Sequence, residues 1–129
     1  MKPIIVPGQN RVFLRPDRSE KQAAWKADIR VAAKGAVVAH NLGGPLEVIV
    51  KFFLLRPKGH YTKKGNLTKS ASAYPMRKKD DLDKLLRAAL DALTGIMWID
   101  DGQISKIVAA KEYSHDYEAG MTIRIEDRT

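Results

Sequence analysis

Residues 81–93 read DLDKLLRAALDAL, and their periodicity predicts an amphipathic helix. Asp81 stands where an N-cap residue would, and Gly95 stands where a C-terminal cap would. At 100° per residue the charged side chains fall on one face: Asp83, Lys84, Arg87 and Asp91. The apolar side chains fall on the other: Leu82, Leu85, Leu86, Ala89, Leu90 and Leu93. We therefore expect a helix that packs on a core and turns its charges to solvent.

Aspartates are concentrated around this helix. Six of the 15 acidic residues of a chain with net charge +8 are aspartates between positions 80 and 101. These are Asp80, Asp81, Asp83, Asp91, Asp100 and Asp101. A helix cap needs one carboxylate, Asp83 and Arg87 have the spacing of an ordinary ion pair, and Asp101-Gly102 is a strong turn signal. Three aspartates in four positions nevertheless exceed what capping requires, and they repel one another unless a cation lies between them.

The chemistry that would use such a group is phosphodiester hydrolysis. Mg²⁺ prefers oxygen ligands and can bridge carboxylates to a phosphate. Asp81 and Asp83 would supply one edge of a metal site in residues 80–101. Asp100 and Asp101 would supply the other if residues 97–99 form a short strand that runs back beside the helix start. Arg87, one turn beyond Asp83, would stabilise charge on the phosphate.

Composition limits the class of protein. The chain of 129 residues and 14.4 kDa is expected to form a single domain, residues 1–129, and to fold because 44% of its residues are hydrophobic. The lack of cysteine excludes thiolate metal sites and disulfides. Neither a signal peptide nor a membrane span is recognisable, so we expect a cytoplasmic protein without a membrane partner. No glycine-rich phosphate-binding motif suggests a nucleotide cofactor.

The basic character of the chain indicates a polyanionic partner, although some soluble proteins are simply basic. The pI is about 9.8. Residues 56–79 form a predicted basic loop with no acidic residue. Its cations are Arg56, Lys58, Lys63, Lys64, Lys69, Arg77, Lys78 and Lys79. With Tyr61 and Tyr74 among them, this loop suits contact with phosphates and unstacked bases, while the alternative is a solvated mobile loop.

The remaining segments predict a mixed α and β chain. Two short apolar runs, 4–6 and 12–14, are typical of strands, and Ser19 with Gln22 forms a capping box that opens a helix. The alternating residues 46–54 predict a long central strand. Residues 103–113 and 121–125 predict two more strands. On the first helix, Lys26, Arg30 and Lys34 form a basic row that is either a solvated face or a phosphate contact.

Three motifs also carry a family resemblance: Asp81-Leu82-Asp83-Lys84-Leu85, residues 88–94, and Trp98-Ile99-Asp100-Asp101-Gly102-Gln103. Together they resemble the RusA family of Holliday junction resolvases, small Mg²⁺-dependent endonucleases often carried by phages and prophages. The resemblance implies that Asp81, Asp83 and Asp101 bind the metal, Mg²⁺ or alternatively Mn²⁺. It also implies that Arg87 occupies the position of a lysine important for cleavage. Lys84 replaces an asparagine of the family pattern and adds a cation beside the metal site.

The resemblance further implies a compact α+β domain, an antiparallel-rich sheet packed by two main helices, in a two-fold homodimer. A four-way junction must be cut at two symmetry-related phosphates, and one acid cluster per chain makes a homodimer the economical solution. Contacts with the branched DNA are expected from Lys63, Lys64, Lys69, Arg77, Lys78, Lys79 and Lys84. The predicted activity is paired symmetrical cleavage of Holliday junctions in DNA recombination and repair. A metal nuclease for other branched DNA and a non-catalytic DNA-binding module are the alternatives.

Overall fold

A computed structural model describes residues 4–5, 11–14, 22–35, 42–76, 81–115 and 119–129. The helices and strands in this part of the chain are β1 (Ile4–Ile5), β2 (Arg11–Leu14), α1 (Gln22–Gly35), β3 (Leu46–Leu54), α2 (Leu82–Leu93), β4 (Ile104–Tyr113) and β5 (Gly120–Asp127). In the same residues, no helix combines the length and the apolar character needed to cross a membrane. The helix cap predicted at Ser19 lies outside the described residues, whereas the strands predicted from the apolar runs 4–6 and 12–14 are confirmed as β1 and β2.

The strands form one mixed sheet in the order β1-β2-β5-β3-β4. Its β1–β2, β2–β5 and β3–β5 pairs are antiparallel, whereas β3 and β4 are parallel. The predicted α+β architecture with two helices and an antiparallel-rich sheet is confirmed over the described residues. β3 is an interior strand, as its alternating sequence predicts, because β5 and β4 flank it on either side.

The core lies between one face of the sheet and the two helices. β3 buries Leu46, Val48, Val50 and Phe52 on this face. The helices cover them with Ile29, Ala32 and Ala33 from α1 and with Ala89, Ala92 and Leu93 from α2. Trp98 is completely buried in the same cluster, and its indole Nε1 donates to the Thr94 hydroxyl oxygen at 2.9 Å. α2 therefore turns its predicted apolar face to the core, and α1 packs beside it on the same face of the sheet.

The β3–α2–β4 unit fixes where the acidic residues lie. The chain leaves the carboxyl end of β3, and α2 carries it back to the amino end of the same strand. There Trp98 forms bridges with Leu42 and Thr94, and Ile104 at the start of β4 pairs with Leu46 at the start of β3. The 12 residues of α2 span about 18 Å. The two ends of α2 therefore lie toward opposite ends of the β3–β4 pair.

Candidate active site

Asp81 and Asp83 lie together at the N-terminal end of α2. Asp81 is the N-cap residue, as predicted, but its side chain accepts no capping hydrogen bond. Its side chain is 43% exposed, and the carboxylate lies 3.9 Å from the Lys84 ammonium. Asp83, in the first helical turn, is exposed. Because Asp81 makes no capping hydrogen bond, helix capping does not explain why a carboxylate is present at this position. The carboxylates of Asp81 and Asp83 both face solvent at the positive end of the helix dipole.

Arg87 and Lys84 share the exposed face of α2 with Asp83. Within the described residues, the ion pairs of α2 join Asp81 to Lys84 and Asp91 to Lys26, the latter at 3.6 Å. Asp83 and Arg87 are not paired with each other there, although their spacing permits it. The Arg87 guanidinium is therefore placed one turn from Asp83 without being neutralised by it.

Asp100 organises the turn before β4. Its carboxylate accepts from the Gly102 backbone N–H at 3.0 Å and caps a short 3-10 helix, Asp101–Gln103. The turn predicted at Asp100-Asp101-Gly102 is thus confirmed. Asp100 therefore has a structural role in this turn. Asp101, the first residue of the 3-10 helix, is exposed.

Gln103 is the residue of this turn to which the sequence motifs assigned no role. Its side-chain oxygen accepts from the backbone N–H groups of Ile99 and Asp100 at 2.8 and 2.9 Å. Its Nε2 donates to the carbonyl oxygens of Leu42 and Gly44 at 2.8 and 3.0 Å. The Asp100-x-x-Gln103 spacing is that of a capping box, which is the signal that could have identified it. Gln103 therefore fixes the Asp101 turn to the segment that precedes β3.

The two adjacent carboxyl groups of this turn have opposite pKa shifts. The Gly102 N–H and a hydrogen bond with Asp101 lower the pKa of Asp100. Sharing that hydrogen bond with Asp100, together with partial desolvation, raises the pKa of Asp101. The negative charges of Asp100 and Asp91 raise the Asp101 pKa further. Asp101 is therefore the carboxyl group of the pair that retains a proton to higher pH, and Asp91 of α2 is close enough to influence it.

The structure does not bring Asp101 to Asp81 and Asp83 within one protomer. The prediction that residues 97–99 form a strand beside the helix start is wrong: residues 95–97 form a turn, and the two isolated bridges of Trp98 lie at the other end of α2. The reason is that four residues between Leu93 and Trp98, with Gly95 turning the chain at φ 88°, cannot recross the length of α2. The described residues contain no group of three metal-ligating side chains. A three-aspartate metal site does not fit one protomer, and the ligand assignment stays a prediction.

The described part of the basic loop is ordered by its own hydrogen bonds. The Thr62 N–H donates to the Asn66 carbonyl at 2.7 Å, and the Thr68 N–H donates to the His60 carbonyl at 2.9 Å. Gly65, at φ 87°, closes the turn between them. Lys63, Lys64 and Lys69 are exposed on this framework, and Lys84 is exposed on α2. Arg77, Lys78 and Lys79 lie outside the described residues.

The family model for endodeoxyribonuclease RusA matches residues 6–126, a span that includes both carboxylate groups and the basic loop. The chain belongs to the RusA family. Membership implies endodeoxyribonuclease activity, a hydrolase reaction that depends on divalent metal and acts on branched DNA, in particular Holliday junctions during recombination. No curated protein matches the chain. The RusA assignment confirms the family and the enzyme class predicted from the acidic motifs.

Proposed function

We propose that this RusA-family chain is a Mg²⁺-dependent endonuclease, with Mn²⁺ as a substitute ion, that resolves Holliday junctions by two symmetrical cleavages in recombination and repair. The observation that carries the proposal is the pair of solvent-facing carboxylates at the start of α2. Asp81 makes no capping hydrogen bond, Asp83 is not paired with Arg87, and both follow in sequence the basic loop, in which Lys63, Lys64 and Lys69 are exposed. Carboxylate oxygens of this kind suit a hard divalent cation.

A two-fold homodimer would complete the metal site. Asp101 lies toward the other end of α2, a helix about 18 Å long, so its carboxylate cannot join Asp81 and Asp83 of the same protomer. Two copies related by a two-fold axis can place Asp101 of the partner subunit beside Asp81 and Asp83. Each dimer would then hold two equivalent sites, which matches the two symmetry-related phosphates of a four-way junction. When bound there, the divalent ion would lower the pKa of a water molecule and neutralise charge on the phosphate.

The remaining groups of the chain would bind and orient the DNA. Arg87 would donate hydrogen bonds to the non-bridging phosphate oxygens, on which negative charge grows as the phosphorus is attacked. Lys84 and the loop lysines would contact flanking phosphates and set the register of the strand. Gln103 would hold the Asp101 turn in position through the carbonyls of Leu42 and Gly44.

Synthetic substrates test this function directly. The purified protein would be incubated with a four-way junction, a three-way junction and a matched linear duplex, each with Mg²⁺, with Mn²⁺ and with EDTA. Paired symmetrical nicks in the four-way junction, in the presence of a divalent metal only, are the expected result. Equal cutting of the three-way junction would indicate a broader branched-DNA nuclease. Junction binding that weakens with salt, tolerates EDTA and never leads to a nick would indicate a non-catalytic binding module.

A further inference from the structure

A cavity of about 310 Å³ opens between the basic loop and the carboxyl end of β4. Its walls include Leu67, Ala73 and Tyr74 from the loop and Glu112 and Tyr113 from the strand, with Arg56 beside them. This volume is at the lower end of the range for small-molecule pockets. The carboxyl ends of β3 and β4 and the N-terminus of α2 lie at the same end of the β3–α2–β4 unit. The cavity is therefore at the same end of this unit as Asp81 and Asp83.

Arg56 gives this cavity a fixed wall. Its guanidinium lies over the Tyr113 ring, 4.2 Å from the centroid, and Nη1 donates to the Ser72 carbonyl oxygen at 2.8 Å. The same Nη1 lies 3.2 Å from His60 Nδ1, and the His60 ring meets the Tyr113 ring edge-on. These contacts tie both arms of the loop to the sheet and hold the Tyr113 side chain in place. Contacts within the protein thus hold the walls of the pocket in place.

Tyr74 is an exposed aromatic residue of the cavity lining. Its side chain is 66% exposed, and its backbone carbonyl accepts from the Ser72 hydroxyl at 3.0 Å, beside a buried Pro75. An exposed aromatic ring that lines a pocket, in a loop that also carries the exposed Lys63, Lys64 and Lys69, suits the binding of unstacked bases. Besides His115, the charged residues of the lining are Arg56 and Glu112, whose opposite charges offset each other, so the cavity is not the strongly positive site that a phosphate prefers.

We propose that this cavity binds one unstacked nucleobase of the DNA, with Tyr74 as the stacking side chain, while Lys63, Lys64 and Lys69 contact the neighbouring phosphates. This inference rests on the proposed action on DNA and adds a site away from the carboxylates. It explains why the loop is ordered about Arg56 and Tyr113 rather than being a solvated lysine-rich segment. A base held here would be removed from its stack at a branch, where unstacking costs least.

Binding measured in EDTA tests the pocket apart from cleavage. The probes are two fluorescent dodecamers with equal numbers of phosphates, one of thymidine and one of abasic tetrahydrofuran units. Tyr74→Ala should weaken binding of the thymidine strand about tenfold and leave the abasic strand unchanged, because only the base contacts the ring. Tyr74→Phe should bind both strands as the wild type does. Met76→Ala is the matched control, since Met76 is 78% exposed in the same loop and does not line the cavity.

Equal loss on both strands, or no loss on either, would overturn the proposal. If Tyr74→Ala proved unfolded by circular dichroism, photocrosslinking of the wild-type chain would decide. A dodecamer carrying 5-iodouracil is expected to crosslink to Tyr74 or Tyr113, and adducts confined to other peptides would overturn the assignment. Because no step needs metal, a chain that cuts no junction can still confirm this pocket. Conversely, if the experiment overturned the proposal for this pocket, the proposed role of the Asp81 and Asp83 carboxylates would be unaffected.

Discussion

The side chain of Gln103 donates from Nε2 to the carbonyl oxygen of Leu42 across 2.8 Å, joining residues 61 positions apart. The same side chain accepts from the Ile99 and Asp100 amides. Both sides of the Asp101 turn are therefore held by one amide group. This places Asp101 at the amino end of the β3–β4 pair, toward the far end of α2 from Asp81.

Gln103→Glu should destabilise the fold and weaken cleavage. The glutamate keeps an acceptor for the two amides but loses both donor hydrogens, so the Leu42 and Gly44 carbonyls lose their partner and face a negative charge. The free energy of unfolding should fall by about 1–3 kcal/mol. Urea unfolding measures it at neutral pH. An unchanged midpoint with an unchanged slope would contradict the role given to Gln103.

Asp83→Asn should reduce junction cleavage by at least about 100-fold and leave junction affinity within about twofold, because the change removes a charged ligand but no phosphate contact. Single-turnover cleavage in Mg²⁺ and gel-shift titration in EDTA measure the two effects. Asp28→Asn on α1 is the matched control, since it makes the same substitution away from the candidate site. Cleavage by Asp83→Asn at the wild-type rate would remove Asp83 from the proposed site.

Mixing two inactive variants should restore cleavage if each metal site is shared between protomers. In a dimer of Asp83→Asn with Asp101→Asn, one site carries both substitutions and the other carries neither. Random exchange makes half of the dimers mixed, so about a quarter of the wild-type number of sites should be intact. The products should be single nicks rather than paired ones. Failure of the mixture to cut, with subunit exchange shown independently, would indicate sites contained within one protomer.

Arg87→Ala should lower the cleavage rate by about 100-fold, whereas Arg87→Lys should retain most of it. The alanine removes a cation that would stabilise charge in the transition state, and the lysine keeps that charge. Single-turnover rates on the four-way junction, with affinity measured separately in EDTA, distinguish this effect from loss of DNA binding. Equal loss in both variants would show that the planar guanidinium itself is required.

Glu47→Gln should make the thermal stability of the protein less dependent on pH in the acid range. Glu47 accepts from the Lys106 ammonium at 3.0 Å, and this hydrogen bond is the main reason that the Glu47 pKa is lowered. A carboxyl group with a lowered folded-state pKa stabilises the protein above its unfolded-state pKa and loses this effect as the pH falls. Wild type should therefore exceed Glu47→Gln in thermal midpoint at about pH 7, and the two should converge below about pH 4. A constant difference across that range would contradict the assignment.

Local patterns were sufficient to predict several parts of this protein. The helical period of residues 81–93 predicts the buried and exposed faces of α2. The alternation of residues 46–54 predicts β3. Both predictions succeed because these patterns depend only on residues that are near one another in the sequence. The turn at Asp100-Asp101-Gly102 is confirmed for the same reason. The acidic motifs also identified the RusA family, since motif spacing is a property of the sequence itself.

The sequence alone determined which residues carry the charge and which face of each helix is apolar. Only the tertiary structure decided that β4 runs parallel to β3, because strand direction depends on backbone hydrogen bonds between residues about 58 positions apart, which no local period encodes. That direction separates Asp101 from Asp81 and Asp83 by much of the length of α2. It also places Gln103 against Leu42.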